Sequence, residues 1–394
     1  MNRLALACAL ALALTACQNH GAANGANSAP PASAPAANAG EGSLAVSSQI
    51  GKLQLTTLSA ELSHPWGMAF LPDGDLLITE RQGRLRRLGS DGSLSAPLSG
   101  VPTVKAEGQG GLLDVALSPD FATDSIIYLS FAEPGEDGSS GTAVMRATLK
   151  GDALVDGQVI FRQTPKIKSG YHYGSRLIFD QQGHLFITLG DRGERPMAQQ
   201  LNSHMGTLIR LNLDGSVPAD NPFVGRDDAL PEIWSFGHRN QQGGALNPWS
   251  GQVWTHEHGP RGGDEVNIPQ AGKNYGWPII THGINYSGLP IPEAEGKEKA
   301  GLESPHYVWE VSPAVSGMAF YNDERVPDWK HSLFVGALAQ RALIRLSLDG
   351  DTVVGEERLL EKQGWRIRDV EVGPDGAVYL LTDENQGRVV RLAP

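Results

Sequence analysis

Residues 66–79 read WGMAFLPDGDLLIT: an apolar stretch, a Pro72-Asp73-Gly74 turn, and a second apolar stretch ending at Thr79. Asp and Gly supply the backbone angles that a tight hairpin turn demands, so the segment reads as two antiparallel β-strands. The pattern recurs at Leu112 to Ser130 around Ser118-Pro119-Asp120, and from Arg176 through Gln181-Gln182-Gly183 to Gly190. A looser copy spans Ile233 to His256 with Asn247-Pro248 at its turn, and a fifth runs from Val315 through Asn322-Asp323 to Gly336. The sixth, Val370 to Thr382, carries Pro374-Asp375-Gly376.

Further strand-like stretches at Gly83 to Leu88, Thr207 to Leu213, Leu343 to Leu348 and Gly387 to Leu392 follow the copies. Together they predict four-stranded antiparallel blades, and six copies predict an all-β six-bladed β-propeller over 44–394. Spread over roughly 350 residues, six repeats average ~58 each, above the ~40 to 50 of compact propeller repeats, which leaves room for long loops. A two-sheet sandwich with a second domain explains neither the count nor the regularity. In a propeller, functional residues gather on loops around the channel mouth.

The start of the chain has a different character. MNRLALACALALALTAC combines Arg3, an apolar run from Leu4 to Leu14 and small residues before Cys17, the composition of an export signal. Leu14-Thr15-Ala16-Cys17 is similar to a bacterial lipoprotein box, which predicts a signal over 1–17 and a lipid on Cys17; an ordinary secretory signal cut nearby is the alternative. Residues 18–43 are rich in Ala, Pro, Asn, Gly and Ser, a flexible tether by composition. The expected location is the periplasm, anchored to the outer membrane. Membrane contact is expected only through that lipid, because no later run approaches ~18 consecutive apolar residues. Cys8 and Cys17 are the only cysteines, so no disulfide is expected in the mature domain. Lys and Arg total 32 against 44 Asp and Glu, a formal charge of −12, and no basic stripe stands out; nucleic acid is excluded as a partner.

Five segments carry candidate chemistry. GYHYGSR (170–176) and GDRG (190–193) flank one hairpin, whose closure brings His172 near Asp191. A carboxylate beside an imidazole fixes its tautomer and suits it to proton transfer, although a surface His beside a turn Asp reads the same way. In SFGHRNQQGG (235–244), Arg239 offers a planar fork for carboxylate or carbonyl oxygens, or for a structural acid. THEHGPRGGDEVN (255–267) gathers hard oxygen donors and glycine backbone suited to calcium. His256 and His258 raise zinc as an alternative, but alternate residues of a strand point to opposite faces. In WRIRD (365–369), Arg366 and Arg368 share a face of an extended segment and suit a multiply anionic ligand.

Taken in order, GQGGLLDVALSPDF (108–121), HYGSRL (172–177), GDRG (190–193), GHRNQQG (237–243), HGPRGGDE (258–265), KNYGWP (273–278), SPAVSGMAFY (312–321) and RIRDV (366–370) resemble the soluble quinoprotein sugar dehydrogenases of the glucose/sorbosone dehydrogenase family, across essentially the whole chain after the tether. Each motif is weak alone; the ordered set is specific. The resemblance implies pyrroloquinoline quinone (PQQ), a tricarboxylated ortho-quinone, with Ca2+, and oxidation of the aldose C1 hydroxyl to the lactone by hydride transfer to the quinone. It implies His172 as general base, Asp191 as the residue that orients it, and Arg239 as the polariser of a quinone oxygen. Gln109 and Asn240 match cofactor-contacting positions, and Arg366 and Arg368 match partners of cofactor carboxylates. The backbone carbonyls of Gly259 and Pro260 match ligands of the cofactor calcium, with Glu265 and the Tyr275 backbone for a second, structural calcium. An aldose and an external electron acceptor are the implied partners.

Departures from the family pattern fall at the pocket. Where the family has a cofactor-binding Lys this sequence has Ala339, with Arg341 two residues on, so either Arg341 substitutes or cofactor affinity is reduced; a substrate-contacting Gln position reads Pro196; and an aromatic near Trp309 aligns loosely. Two other classes stay open on the same scaffold: a calcium-dependent lactonase and a non-catalytic propeller binding glycans or proteins.

Overall fold

A computed structural model describes residues 43–394. The expected signal over 1–17, the expected lipid at Cys17 and the expected tether as far as residue 42 lie outside the described residues. Twenty-four strands account for the regular structure, with only short helical turns between them. They form six antiparallel sheets, each begun by a strand of a repeat: Pro65–Phe70, Leu112–Leu117, Leu177–Phe179, Gln241–Leu246, Val315–Tyr321 and Ile367–Val372. Each of these first strands packs against the first strand of the next sheet, and the sixth packs against the first. The ring therefore closes around a central channel, and the architecture is a six-bladed β-propeller.

Apolar clusters fill the seams between neighbouring blades. Leu77 and Leu85 of the first blade meet Leu112, Ile127 and Leu129 of the second; Trp254 and Val266 of the fourth meet Val335 and Ile344 of the fifth; Tyr379 and Val389 of the sixth meet Met68 and Ile78 of the first. Burying each such side chain contributes about 1.5–3 kcal/mol. Among the described residues no helix is long and apolar enough to cross a membrane.

Three details depart from the sequence reading. The first blade has three regular strands, not four. Ser95 and Leu98 still donate to the carbonyls of Arg87 and Leu85 at 2.8 Å, but Pro97 has no N–H and interrupts the ladder. The sixth blade has five strands, because Gly51–Leu62 lies against Gly387–Ala393 and carries Leu44–Ser48 outside it. Finally, Ile233–Phe236 is the outer strand of the third blade, and the fourth blade begins only at Gln241. The Gly237 to Asn240 segment that joins them is a turn at the channel mouth, which frees Arg239 and Asn240 for other work.

Candidate active site at one mouth of the channel

The loops that precede each first strand converge at one end of the channel. There a cavity of about 190 Å³ is lined by Trp66, Arg81, Gln109, Gln242, His258, Arg366, Arg368 and Asp383, with Tyr173, Gly174 and Leu338 among its other walls. Arg366 and Arg368 both reach Asp383, at 3.3 and 3.5 Å. Arg368 also donates to Gln242 Oε1 at 3.0 Å, and its guanidinium and that of Arg176 lie over the Trp66 ring at 5.6 and 4.5 Å. Burial pushes the Asp383 carboxyl up, but Arg368, the bond to His64 and Arg366 outweigh it and hold the carboxyl well below the usual range.

Beside the cavity stand His172 and Asp191. The hairpin Leu177–Phe179 to His184–Thr188 brings their loops together, and His172 Nδ1 meets Asp191 Oδ1 at 2.6 Å. The His172 amide donates to Gln109 Oε1 at 2.8 Å, which ties the loop to the cavity wall. His172 has φ 52°, a left-handed conformation that costs a non-glycine residue energy. A side chain at Gly190 is excluded, since its Cβ would fall 2.1 Å from the His172 carbonyl oxygen. Asp191 is sealed from solvent. Its Oδ1 accepts the Gly193 amide at 2.8 Å and its Oδ2 the Trp277 indole N–H at 2.7 Å. Burial raises its carboxyl, yet His172, Arg239 and the Gly193 amide keep it below the ordinary value. Burial pushes the His172 imidazolium pKa down, helped by Arg239 and Arg192 and opposed by Asp191, so the neutral ring is favoured.

Arg239 is buried, with Nη1 on the His258 carbonyl at 3.2 Å, and its guanidinium lies 5.4 Å from the Trp277 ring centre. Asn240 Oδ1 accepts from Gly174 N and Gln242 Nε2, both at 3.3 Å. Four buried N–H groups in this neighbourhood, Nε of Arg81, Arg239 and Arg368 and Nδ2 of Asn240, have no hydrogen-bond partner. Unpaired buried donors are costly, and here they mark a place built for an acceptor-rich ligand.

A smaller cavity of about 20 Å³ lies next door, walled by Arg239, Glu257, His258, Gly259, Glu265 and Tyr275. Burial, then the nearby Glu257, pushes the Glu265 carboxyl well above its usual value. Asn267 donates to both Glu257 Oε1 at 3.2 Å and Glu265 Oε1 at 3.0 Å, while its own Oδ1 is buried and unpaired. Two buried carboxylates with one shared amide suit a cation. Among the described residues no three His, Cys, Asp or Glu side chains converge as a metal group, so main-chain oxygens would have to complete any ligand set.

The structure thus gathers most of the residues singled out from the sequence. Gln109, Arg366 and Arg368 line the larger cavity, and Gly259, Glu265 and Tyr275 the smaller. Pro260 lies instead in the wall of an adjoining groove. Arg341 is exposed, at φ 53°, with Nη1 on the Gly364 carbonyl at 2.9 Å, and is not among the residues that line the larger cavity. Sequence reading missed Trp66, Arg81, Gln242, Asp383, Glu257 and the bond from Trp277. Only the direct cross-strand pairing of Glu257 with Glu265 held a usable signal.

A family model described as Glucose / Sorbosone dehydrogenase matches residues 62–391. The chain belongs to that family. It is 53% identical over 345 residues to the aldose sugar dehydrogenase YliI of Escherichia coli K12, covering 87% of this chain and 93% of that one. A crystal structure of a glucose dehydrogenase shares 58% identity and superposes with a TM-score of 0.84, over 86% of this chain and 98% of that chain. The PQQ-bound aldose sugar dehydrogenase of Streptomyces coelicolor shares 29% identity with a TM-score of 0.72, over 86% and 98% of the two chains.

Proposed function

We propose that the protein is a PQQ-dependent aldose sugar dehydrogenase that oxidises the C1 hydroxyl of aldoses to lactones. The carrying observation is the His172–Asp191 pair standing beside a cavity rich in guanidinium groups and unpaired buried N–H donors. A tricarboxylated ortho-quinone fits this donor set. Arg366 and Arg368 would take its carboxylates, Gln109 and Asn240 its polar edge, and Arg239 an oxygen of the quinone. When bound, it supplies the two-electron, hydride-accepting centre that no side chain offers.

The protein's own part is acid–base chemistry and orientation. Asp191 holds the Nδ1–H tautomer, which leaves Nε2 of His172 to accept the proton from the sugar C1 hydroxyl. The depressed imidazolium pKa keeps that nitrogen free near neutral pH. Arg239 contributes fixed positive potential where negative charge grows. The Glu257–Glu265 cavity, with the Tyr275 backbone, suits a structural calcium, and the carbonyls of Gly259 and Pro260 would serve a separate cofactor calcium, Pro260 from the neighbouring groove. We also infer export and anchoring at Cys17, which loss of membrane fractionation in Cys17→Ser would support.

The test is reconstitution. Purified apo-protein, PQQ, Ca2+, an aldose panel and an artificial acceptor dye should give reduction that requires quinone, calcium and sugar together. Lactone hydrolysis without quinone, or glycan binding with neither activity, would replace this reading.

A further inference from the structure

Arg192 is among the largest side chains fully sealed from solvent, and among the described residues no carboxylate forms an ion pair with it. Burying a cation without a counter-charge is expensive. Its guanidinium is instead shared between the 169–173 loop and Ser140 of the strand Ser140–Lys150. Nε donates to the Tyr171 carbonyl at 2.7 Å, Nη1 to the Ser140 carbonyl at 2.9 Å, and Nη2 to the Ser169 carbonyl and to Ser140 Oγ. The same group lies 3.7 Å over the ring of Tyr173, whose hydroxyl bonds Ser140 Oγ at 2.8 Å and the Ser169 carbonyl at 3.2 Å.

Residues 169, 171 and 173 thus grip a single guanidinium, and His172 sits between them. Gly190 presses the His172 carbonyl from the other side, while His172 itself is held at φ 52°. A neutral side chain would seal this space at lower cost, but no neutral side chain offers a planar fork with five donors. We infer that Arg192 is a positioning residue for the base: it clamps the strained loop so that His172 Nδ1 meets Asp191 and Nε2 stays without a protein partner. This rests on the reading of His172 as the base. The charged groups that bear on the imidazole are Asp191, Arg239 and Arg192.

The experiment compares Arg192→Gln and Arg192→Lys with the wild type. Steady-state kinetics on the calcium- and PQQ-loaded enzyme are paired with 15N-histidine NMR of the apo-protein, the His172 signal being assigned by its loss in His172→Gln. Arg192→Gln should lower kcat about 10-fold or more, with aldose KM and quinone affinity within about 2-fold, because only orientation is lost. The Asp191-bonded Nδ1 proton of His172 should disappear from its spectrum. Arg192→Lys should recover part of both. Unchanged kcat and an unchanged His172 signal in Arg192→Gln would overturn the inference; should that variant not fold, the same two null results in Arg192→Lys would do so. If His172→Gln itself retained turnover, the reading of the base would fail, while the NMR comparison would still report on the clamp.

Discussion

The Trp277 indole N–H donates to Asp191 Oδ2 at 2.7 Å across a separation of 86 residues. It comes from the loop that also supplies Tyr275 to the smaller cavity, so the orientation of the dyad and the candidate cation site share one piece of chain. Trp277→Phe keeps most of the packing and deletes the donor. We expect kcat to fall about 5- to 10-fold, the effect of one lost orienting bond of about 1–1.5 kcal/mol, with quinone retention unchanged. A large loss of quinone binding would show that Trp277 serves the cavity and not the dyad.

Neutral imidazole is the working form of a general base. Because burial and the neighbouring arginines depress the His172 pKa, the acid limb of the kcat–pH profile should have its midpoint below the ~6.5 of a free imidazole. His172→Ala should bind quinone normally and lose turnover by a factor of about 100 or more. An acid limb well above neutrality, or surviving turnover in the variant, would remove His172 from this role.

Asp383 partly neutralises Arg366 and Arg368 before any ligand arrives. Its carboxyl is held below the usual range, so it contributes stability above the unfolded carboxylate pKa of ~4 and loses that contribution as pH falls through the folded value. Asp383→Asn should therefore melt lower at neutral pH and show a flatter acid-side loss. It should also bind the quinone more tightly, because both arginines gain free positive charge. Arg366→Ala should do the reverse to retention. Melting curves across pH and a quinone titration check all of these.

Glu265 behaves oppositely. With its carboxyl raised by burial and Glu257, Glu265 makes a contribution to apo-protein stability that is fully present below the unfolded carboxylate pKa and lost as pH rises through the raised folded value. Calcium should relieve the penalty, so chelation at neutral pH should lower the melting temperature and calcium restore it. Glu265→Gln should make the melting temperature nearly indifferent to calcium. A variant that kept the full calcium response would move the cation elsewhere.

The architecture was legible because turn chemistry repeats. Pro72-Asp73-Gly74 and Pro374-Asp375-Gly376 announce hairpins at corresponding places in the first and last blades, and local signals suffice for a fold assembled from local hairpins. His172 and Asp191 were legible for the same reason, lying at two ends of one hairpin. Asp383, Trp66 and Trp277 were not, because their value depends on which blades become neighbours around the channel, and periodicity is silent on that.

The pairing of Gly51–Leu62 with Gly387–Ala393 has a consequence for biosynthesis. Until Gly387–Ala393 has been synthesised, Gly51–Leu62 is paired with Leu44–Ser48 alone and its other edge stays open. Individual blades can form as they emerge, but this hydrogen-bonded seam forms only when its two strands meet, in addition to the packing of Ile367–Val372 against Pro65–Phe70. A product that lacked Gly387–Ala393 would lose that latch.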